Sequence, residues 1–468
     1  MSGVDVAWLR MDHPTNLMMI TTIMTFNEPI AFDRLRETIE VGMLRFSRFR
    51  QCAVNTEQPG VTPHWEYDKS FDIRSHIHLV ALPEPGDQNA LQAYVSDLMS
   101  TPLDKSRPLW QMHLVEHFGN GCAVIGRFHH CIADGIALIH VLLSMTTFLP
   151  DAEIAPLDTN HRRRAGPLDA MLKPATAAIN TTLKTTETLW HEGMEMLANP
   201  AHALDLVQLG TGSASALGKL LTMPPDPQTP FKGKLGVQKC AAWSQPIPLA
   251  DVKAIGHFIR GTINDILLTA MTGALRRYLL ERESELDSIS IRAVVPVNLR
   301  PLEQAARLGN HFGLIFLDLP VGAADPLDRL IKLQESMDSI KSSPEAIVVF
   351  GILNAIGVVP QEVEKQAVKM FGSKATTVMT NVPGPRQTIY FAGKPVNTLM
   401  FWVPQSGRLG IGISIISYDS KVWLGVAVDA GLIPDPDRII EGFHAEFVML
   451  QEMVRRADHS QRRSNNHH

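Results

Sequence analysis

Apolar residues along this 468-residue chain follow two alternating rhythms: short runs with a period of two, as in strands, and stretches repeating every three or four positions, as in helices. Positions 17–26 read as a strand, after which Leu35, Ile39, Met43 and Phe46 mark one face of a helix. Strand-like runs at 110–118 and 122–129 flank Gly119-Asn120-Gly121, a hairpin turn signal, and 136–148 looks helical. In the second half a helix is expected from Ile263, strands near 289–297 and 314–319, and a helix near 327–340. A hairpin-like pair at 409–417 and 422–429 follows, then a closing helix with Ile440, Phe443, Phe447 and Leu450 on one face. The pattern is mixed α/β.

Between the halves the character changes. Residues 151–235 are more polar, carry the run His161-Arg162-Arg163-Arg164 and end in a proline-rich stretch at 224–230, which reads as a crossover. The expected organisation is a first domain at 1–150, linker helices and the proline-rich segment at 151–235, a second domain at 236–457 and a disordered tail at 458–468, whose terminal His467 and His468 are excluded as metal ligands. A chain of this length exceeds what one core usually supports. Its longest apolar run, 346–360, is broken by Asn354 and is too short to span a bilayer, and Asp5, Arg10 and Asp12 argue against a signal peptide.

The chemistry concentrates where the 122–129 run ends. His129-His130-Cys131-Ile132-Ala133-Asp134-Gly135 places a histidine pair four residues ahead of Asp-Gly. Moving an acyl group from a thioester to an alcohol needs a base for the hydroxyl proton, and a neutral imidazole supplies one near neutral pH. Strand alternation sends the two rings to opposite faces: His130 shares its face with Phe128, Gly126 and Val124, while His129 lies beside Arg127. The apolar face is the better wall for a lipid pocket, so His130 is the candidate base. Asp134 reads as an organiser of the turn, and Gly135 as a residue allowing positive φ or close chain approach. Without chemistry, the same residues would be a strand-end histidine pair and a turn. Cys131 is a conceivable nucleophile, but direct transfer is favoured.

A second candidate is Asn264. Ile263, Ile266, Leu267, Ala270, Met271, Ala274, Leu275 and Tyr278 define a buried helix, and Thr262 with Asp265 forms a capping-box-like start, so Asn264 falls in the first turn. An amide there can steady the oxyanion of thioester attack, or it can serve only to cap the helix.

The His-His-x-x-x-Asp-Gly motif resembles the signature of CoA-dependent acyltransferases. Further stretches are similar to blocks of the bacterial wax ester synthase/diacylglycerol acyltransferase family: the opening Ser2-Gly3-Val4-Asp5-Val6-Ala7-Trp8-Leu9, Pro108-Leu109-Trp110, Asn264-Asp265-Ile266, Val297-Asn298-Leu299-Arg300-Pro301 with Gly309-Asn310, and Thr380-Asn381-Val382-Pro383-Gly384-Pro385. The resemblance spans roughly residues 2–457. It implies an α/β fold of two chloramphenicol-acetyltransferase-like domains, mixed sheets flanked by helices, with an active-site tunnel between them. It also implies transfer from acyl-CoA, as co-substrate, to a long-chain alcohol or diacylglycerol, the chemistry of storage wax esters and triacylglycerol. The site residues would be His130, Asp134, His129, Gly135 and Asn264, with no bound cofactor and no metal. The CoA-contacting residues are not identified, and Arg300 is only a guess for the partner of Asp134. A condensation-type acyltransferase using carrier-protein thioesters and a non-catalytic lipid-binding protein are the alternatives.

Composition is compatible with this picture. Apolar residues make up 45% and charged residues 19%, enough to fill two cores. Lys plus Arg 43 against Asp plus Glu 48 leaves a net charge of −5, which argues against nucleic acid as a partner. The four cysteines show no zinc spacing, as expected in a reducing cytosol. A cytoplasmic protein is expected, with peripheral contact at the inner membrane or lipid inclusions as an option for handling insoluble substrates.

Overall fold

The computed structural model describes residues 1–54, 62–150, 152, 210–282, 285–286, 289–300, 308–341, 343–357, 359–405 and 407–465. The basic run at 161–164, most of the expected crossover and the terminal histidines lie outside the described residues.

The first half opens with α1 (Gly3–Met11), whose capping box joins Ser2 and Asp5. Then come β1 (Met19–Phe26), β2 (Ile77–Ala81), α2 (Gln88–Ser100), β3 (Trp110–Phe118), β4 (Gly121–His129) and α3 (Gly135–Ser144). The helix after β1 spans Phe32–Gly42 and buries Leu35 and Ile39; Met43 is its C-cap, and Phe46 lies beyond it, ahead of a 3-10 turn. The predicted hairpin is β3 and β4, paired antiparallel from Trp110↔Phe128 to Phe118↔Gly121. Every residue of β4 is buried, because it is a central strand with both faces covered.

The second half supplies β5 (Lys239–Trp243), α4 (Ile263–Leu280), β6 (Ile291–Asn298), β7 (Phe312–Leu319), α5 (Glu345–Ile356), α6 (Gln361–Ser373), β8 (Thr377–Pro383), β9 (Thr398–Trp402), β10 (Ile411–Tyr418), β11 (Lys421–Asp429) and α7 (Asp437–Asn465). The apolar stretch at 346–360 is therefore largely a helix lying on β7: the backbone carbonyl of Ala346 would touch any Cβ at Gly313, and Glu345 accepts a hydrogen bond from Phe316 N at 2.7 Å. That contact occupies the free edge of the sheet. The closing helix runs on to Asn465, into the segment expected to be a disordered tail.

Two mixed sheets carry these strands. One has the order β9-β1-β4-β3-β2, the other β7-β6-β8-β10-β11-β5, with Ile247–Pro248 also paired to β11. Helices α4 and α7 pack on the second sheet through residues such as Ile266, Met271, Phe443 and Phe447. Strand edges and helix surfaces help stitch the halves together. Strand β9 leaves the second half and adds to β1, with Thr21 opposite Trp402. Ser96 and Ser100 of α2 accept hydrogen bonds from Ala241 N at 2.9 Å and Lys239 N at 2.8 Å, capping the outer edge of β5.

Candidate functional site

Strand β4 delivers the histidine pair to the junction of the halves. Beneath it, Trp110 is fully buried, stacks on His76 at 4.5 Å and donates from Nε1 to Phe49 O at 2.8 Å, while Leu109 O accepts from His129 N at 3.0 Å. The Pro-Leu-Trp segment thus supports the end of the strand that carries the motif.

The two histidine rings have different neighbours. His130 stacks on Trp8 of α1, centroids 4.1 Å apart and planes 19° apart, and is tilted against Phe312 at 5.6 Å. Its backbone N–H donates to Met18 O at 2.7 Å, and its carbonyl accepts from Asn310 Nδ2 at 2.9 Å. Burial pushes its pKa down to about 3, against the opposing pull of its own carbonyl and the Asn310 side chain. The resting ring is therefore neutral. His129 turns elsewhere: its Nδ1 accepts from Cys131 N at 3.2 Å, which leaves the ring proton on Nε2, 3.6 Å from Asp12 Oδ1. Burial alone would raise the Asp12 pKa, but His129, Lys105 Nζ at 2.8 Å and Met18 N–H at 2.9 Å together hold its carboxyl well below the usual carboxylate range.

Asp134 is an organiser with both oxygens engaged. Oδ1 caps α3 by accepting from Ala137 N at 2.8 Å. Oδ2 accepts from Arg300 Nη2 at 2.7 Å and from His311 N at 2.9 Å, all within the protein interior. Arg300 is thus the arginine partner that the sequence could only guess at. Gly135 departs from expectation: its φ is not positive, and a Cβ there would meet nothing within 4 Å. It borders a narrow apolar cavity that is also lined by Phe128, Leu138, Leu142, Val382 and Pro385, so its missing side chain leaves that cavity open. Trp8 forms part of a second narrow apolar cavity with Leu314, Phe316, Val349, Leu353 and Phe371.

Burial raises the Cys131 pKa well above that of a free thiol, so the residue stays protonated and is a poor nucleophile. Asn264 sits in the first turn of α4 behind the expected Thr262–Asp265 capping box, so Thr262 is the cap. Its Oδ1 accepts from Asn381 Nδ2 at 2.9 Å, which ties it to the segment whose Val382, Gly384 and Pro385 line the cavity beside Gly135.

Several residues at the motif were not selected from the sequence. Asn310 donates to both Asp5 Oδ1 at 2.8 Å and the His130 carbonyl. Arg48 bridges Asp5 Oδ2 at 3.4 Å and Ile132 O at 3.2 Å. Asp5, Trp8 and Asn310 belong to blocks noticed for their resemblance, but their convergence on His130 depends on contacts between positions 305 residues apart in the chain. Among the described residues, no group of three or more His, Cys, Asp or Glu side chains could hold a metal ion, and no helix is long and apolar enough to cross a membrane.

Family models match two regions: the wax ester synthase/diacylglycerol acyltransferase catalytic domain over residues 1–267, and the C-terminal domain of the same family over residues 308–451. A Mycobacterium tuberculosis H37Rv protein that carries the name diacylglycerol O-acyltransferase is 25% identical over 414 residues, covering 86% of this chain and 84% of its own length. Among solved structures, a wax ester synthase/diacylglycerol acyltransferase from Marinobacter aquaeolei VT8 superposes with a TM-score of 0.68 at 20% identity, covering 96% of this chain and 98% of that one. A trichothecene 15-O-acetyltransferase from Fusarium sporotrichioides gives 0.63 at 11% identity, covering 96% and 94%. These likenesses establish the two-domain acyltransferase fold.

Proposed function

The chain belongs to the wax ester synthase/diacylglycerol acyltransferase family, and from that premise we propose that His130 is the general base of its acyl transfer. The protein is an acyl-CoA-dependent O-acyltransferase. The acceptor in this reading is a long-chain alcohol, giving a wax ester, or diacylglycerol, giving triacylglycerol. The observation that carries the assignment is the neutral, buried His130 ring, held against Phe312 and against Trp8, itself a wall of an apolar cavity, while His129 is engaged with Asp12.

The steps follow from the residues. His130 removes the hydroxyl proton as the acceptor oxygen attacks the thioester carbonyl. The C–O bond forms, the C–S bond breaks, and the departing thiolate takes the proton back from the imidazolium. Burial makes His130 a weak base, so proton removal is coupled to attack and does not precede it. Asp134 and Arg300 hold the turn, and Asn310 anchors the His130 backbone. Asn264, with its amide oxygen occupied by Asn381, offers N–H donors to the developing oxyanion. The reaction belongs on the cytoplasmic side, at a membrane or lipid-inclusion surface where both substrates partition, and liposome flotation measures that contact.

The test is CoA thiol release from palmitoyl-CoA with hexadecanol or diacylglycerol as acceptor. His130→Ala is expected to lose ~10²-fold or more in kcat/KM and His129→Ala less. Equal, mild losses in both variants would overturn the assignment, and the acceptor that stimulates release identifies the preferred product.

A further inference from the structure

The floor of the cavity beside Gly135 has a gap in its side chains. Met112, Gly126, Thr22 and Phe401 lie side by side across β3, β4, β1 and β9, and all but Gly126 line the cavity. A Cβ built on Gly126 would meet Phe128 Cε2 at 2.7 Å, Thr22 Oγ1 at 2.7 Å and Met112 Sδ at 3.1 Å. The ring of Phe128 therefore lies over the bare backbone of Gly126, folded down along its own strand. Glycine is poorly suited to the middle of a central strand, since it adds conformational entropy to the unfolded chain and contributes no packing. Here its absent side chain gives Phe128 a place to lie without filling the cavity.

We propose that Gly126 and Phe128 together set the length of the single unbranched alkyl chain that the cavity accepts. The inference rests on the acyl-transfer reading of His130. Phe128 precedes His130 by two residues and Gly126 by four, with the strand ending at His129, so the Gly126 row lies about 13 Å back along the chain from the histidine at the usual strand rise. A chain extending from the reacting carbon along β4 passes the Phe128 ring before it reaches that row. Any side chain at 126 lifts the ring into its path, and removing the ring clears it. The cavity is lined almost wholly by apolar side chains, so each methylene it excludes forfeits about fourfold in kcat/KM.

The experiment measures kcat/KM for octanoyl-, dodecanoyl-, palmitoyl- and stearoyl-CoA with one alcohol, then for a matching alcohol series with one acyl-CoA. It uses the full-length protein, Gly126→Ala, Phe128→Ala and the double variant, with unfolding temperature recorded for each. In Gly126→Ala the palmitoyl-to-octanoyl ratio is expected to fall by about fourfold or more. In Phe128→Ala the optimum should move to longer chains, and the double variant should fall between the two. The series that responds shows whether the chain belongs to donor or acceptor. Unchanged profiles in an active, folded Phe128→Ala protein would refute the inference while leaving the acyl-transfer reading intact. Absence of acyl transfer in the unaltered protein would remove the reading on which it rests.

Discussion

Around the motif, the residue that holds the geometry is Asp134, because three elements depend on its two oxygens: the N-terminus of α3, the Arg300 guanidinium and the backbone at His311. Asp134→Asn keeps one oxygen for Ala137 but turns an amide toward Arg300 and the His311 N–H, which are both donors. A buried cation is then left without its counter-charge, a change that typically costs about 3–5 kcal/mol. Urea denaturation should show a loss of that order for Asp134→Asn. Arg300→Met should also destabilise, and the double variant should lose clearly less than the sum of the two, as coupled neighbours do. Strict additivity would mean that the pair is not a functional unit of the fold. The sequence suggested an organising role for Asp134 because Asp-Gly after a strand is a turn signal. It could name Arg300 only as a guess, because the pairing depends on how a chain segment 166 residues away returns to the motif.

For the secondary-structure elements, what the sequence revealed and what it hid have the same cause. Elements with strong internal periodicity could be read directly, including the β3–β4 hairpin, the β10–β11 hairpin and α4 with its Thr262–Asp265 capping box. Strand β9 is five residues long and gains its place only by pairing with β1, so no local pattern announces it. Helix α5 read as an apolar run too short to span a bilayer, with no place assigned to it in the fold, because seven of its twelve residues are buried, which blurs the one-sided rhythm of a surface helix. The seam between α2 and β5 was equally hidden, since Ser96 and Ser100 look like ordinary helix-surface serines. Their hydroxyls accept from the edge-strand N–H groups of Ala241 and Lys239. In the Ser96→Ala/Ser100→Ala double variant those donors lose their partners, at about 1–3 kcal/mol for each that stays dry. Thermal unfolding should register a drop of several degrees, with kcat/KM changing little because neither serine touches the motif. A melting temperature within one degree of the unaltered protein would show that water replaces both contacts.

Across the whole molecule, the expected boundary near residue 235 divides the sequence more cleanly than it divides the structure. The hydrophobic core around β1 and β4 includes Phe312, Val348, Trp402 and Trp423 from the second half alongside Ile23, Ile125 and Trp110 from the first. A fragment of residues 1–235 would keep the histidine motif. It would lose β9 from the edge of its sheet, Asn310 from the His130 carbonyl, Arg300 from Asp134 and Phe312 from the imidazole. Its exposed edge and uncovered apolar face would favour aggregation. Expressed alone, the fragment should be insoluble or should lack near-ultraviolet circular dichroism, and should release no CoA. Co-expression with residues 236–468 should restore a soluble complex, because the missing strand and polar partners can arrive in trans. A soluble, cooperatively folding 1–235 fragment would establish that the first half is an autonomous domain. The observed pairing instead favours one cooperative unit, in which the histidine takes its working position only when both halves are folded.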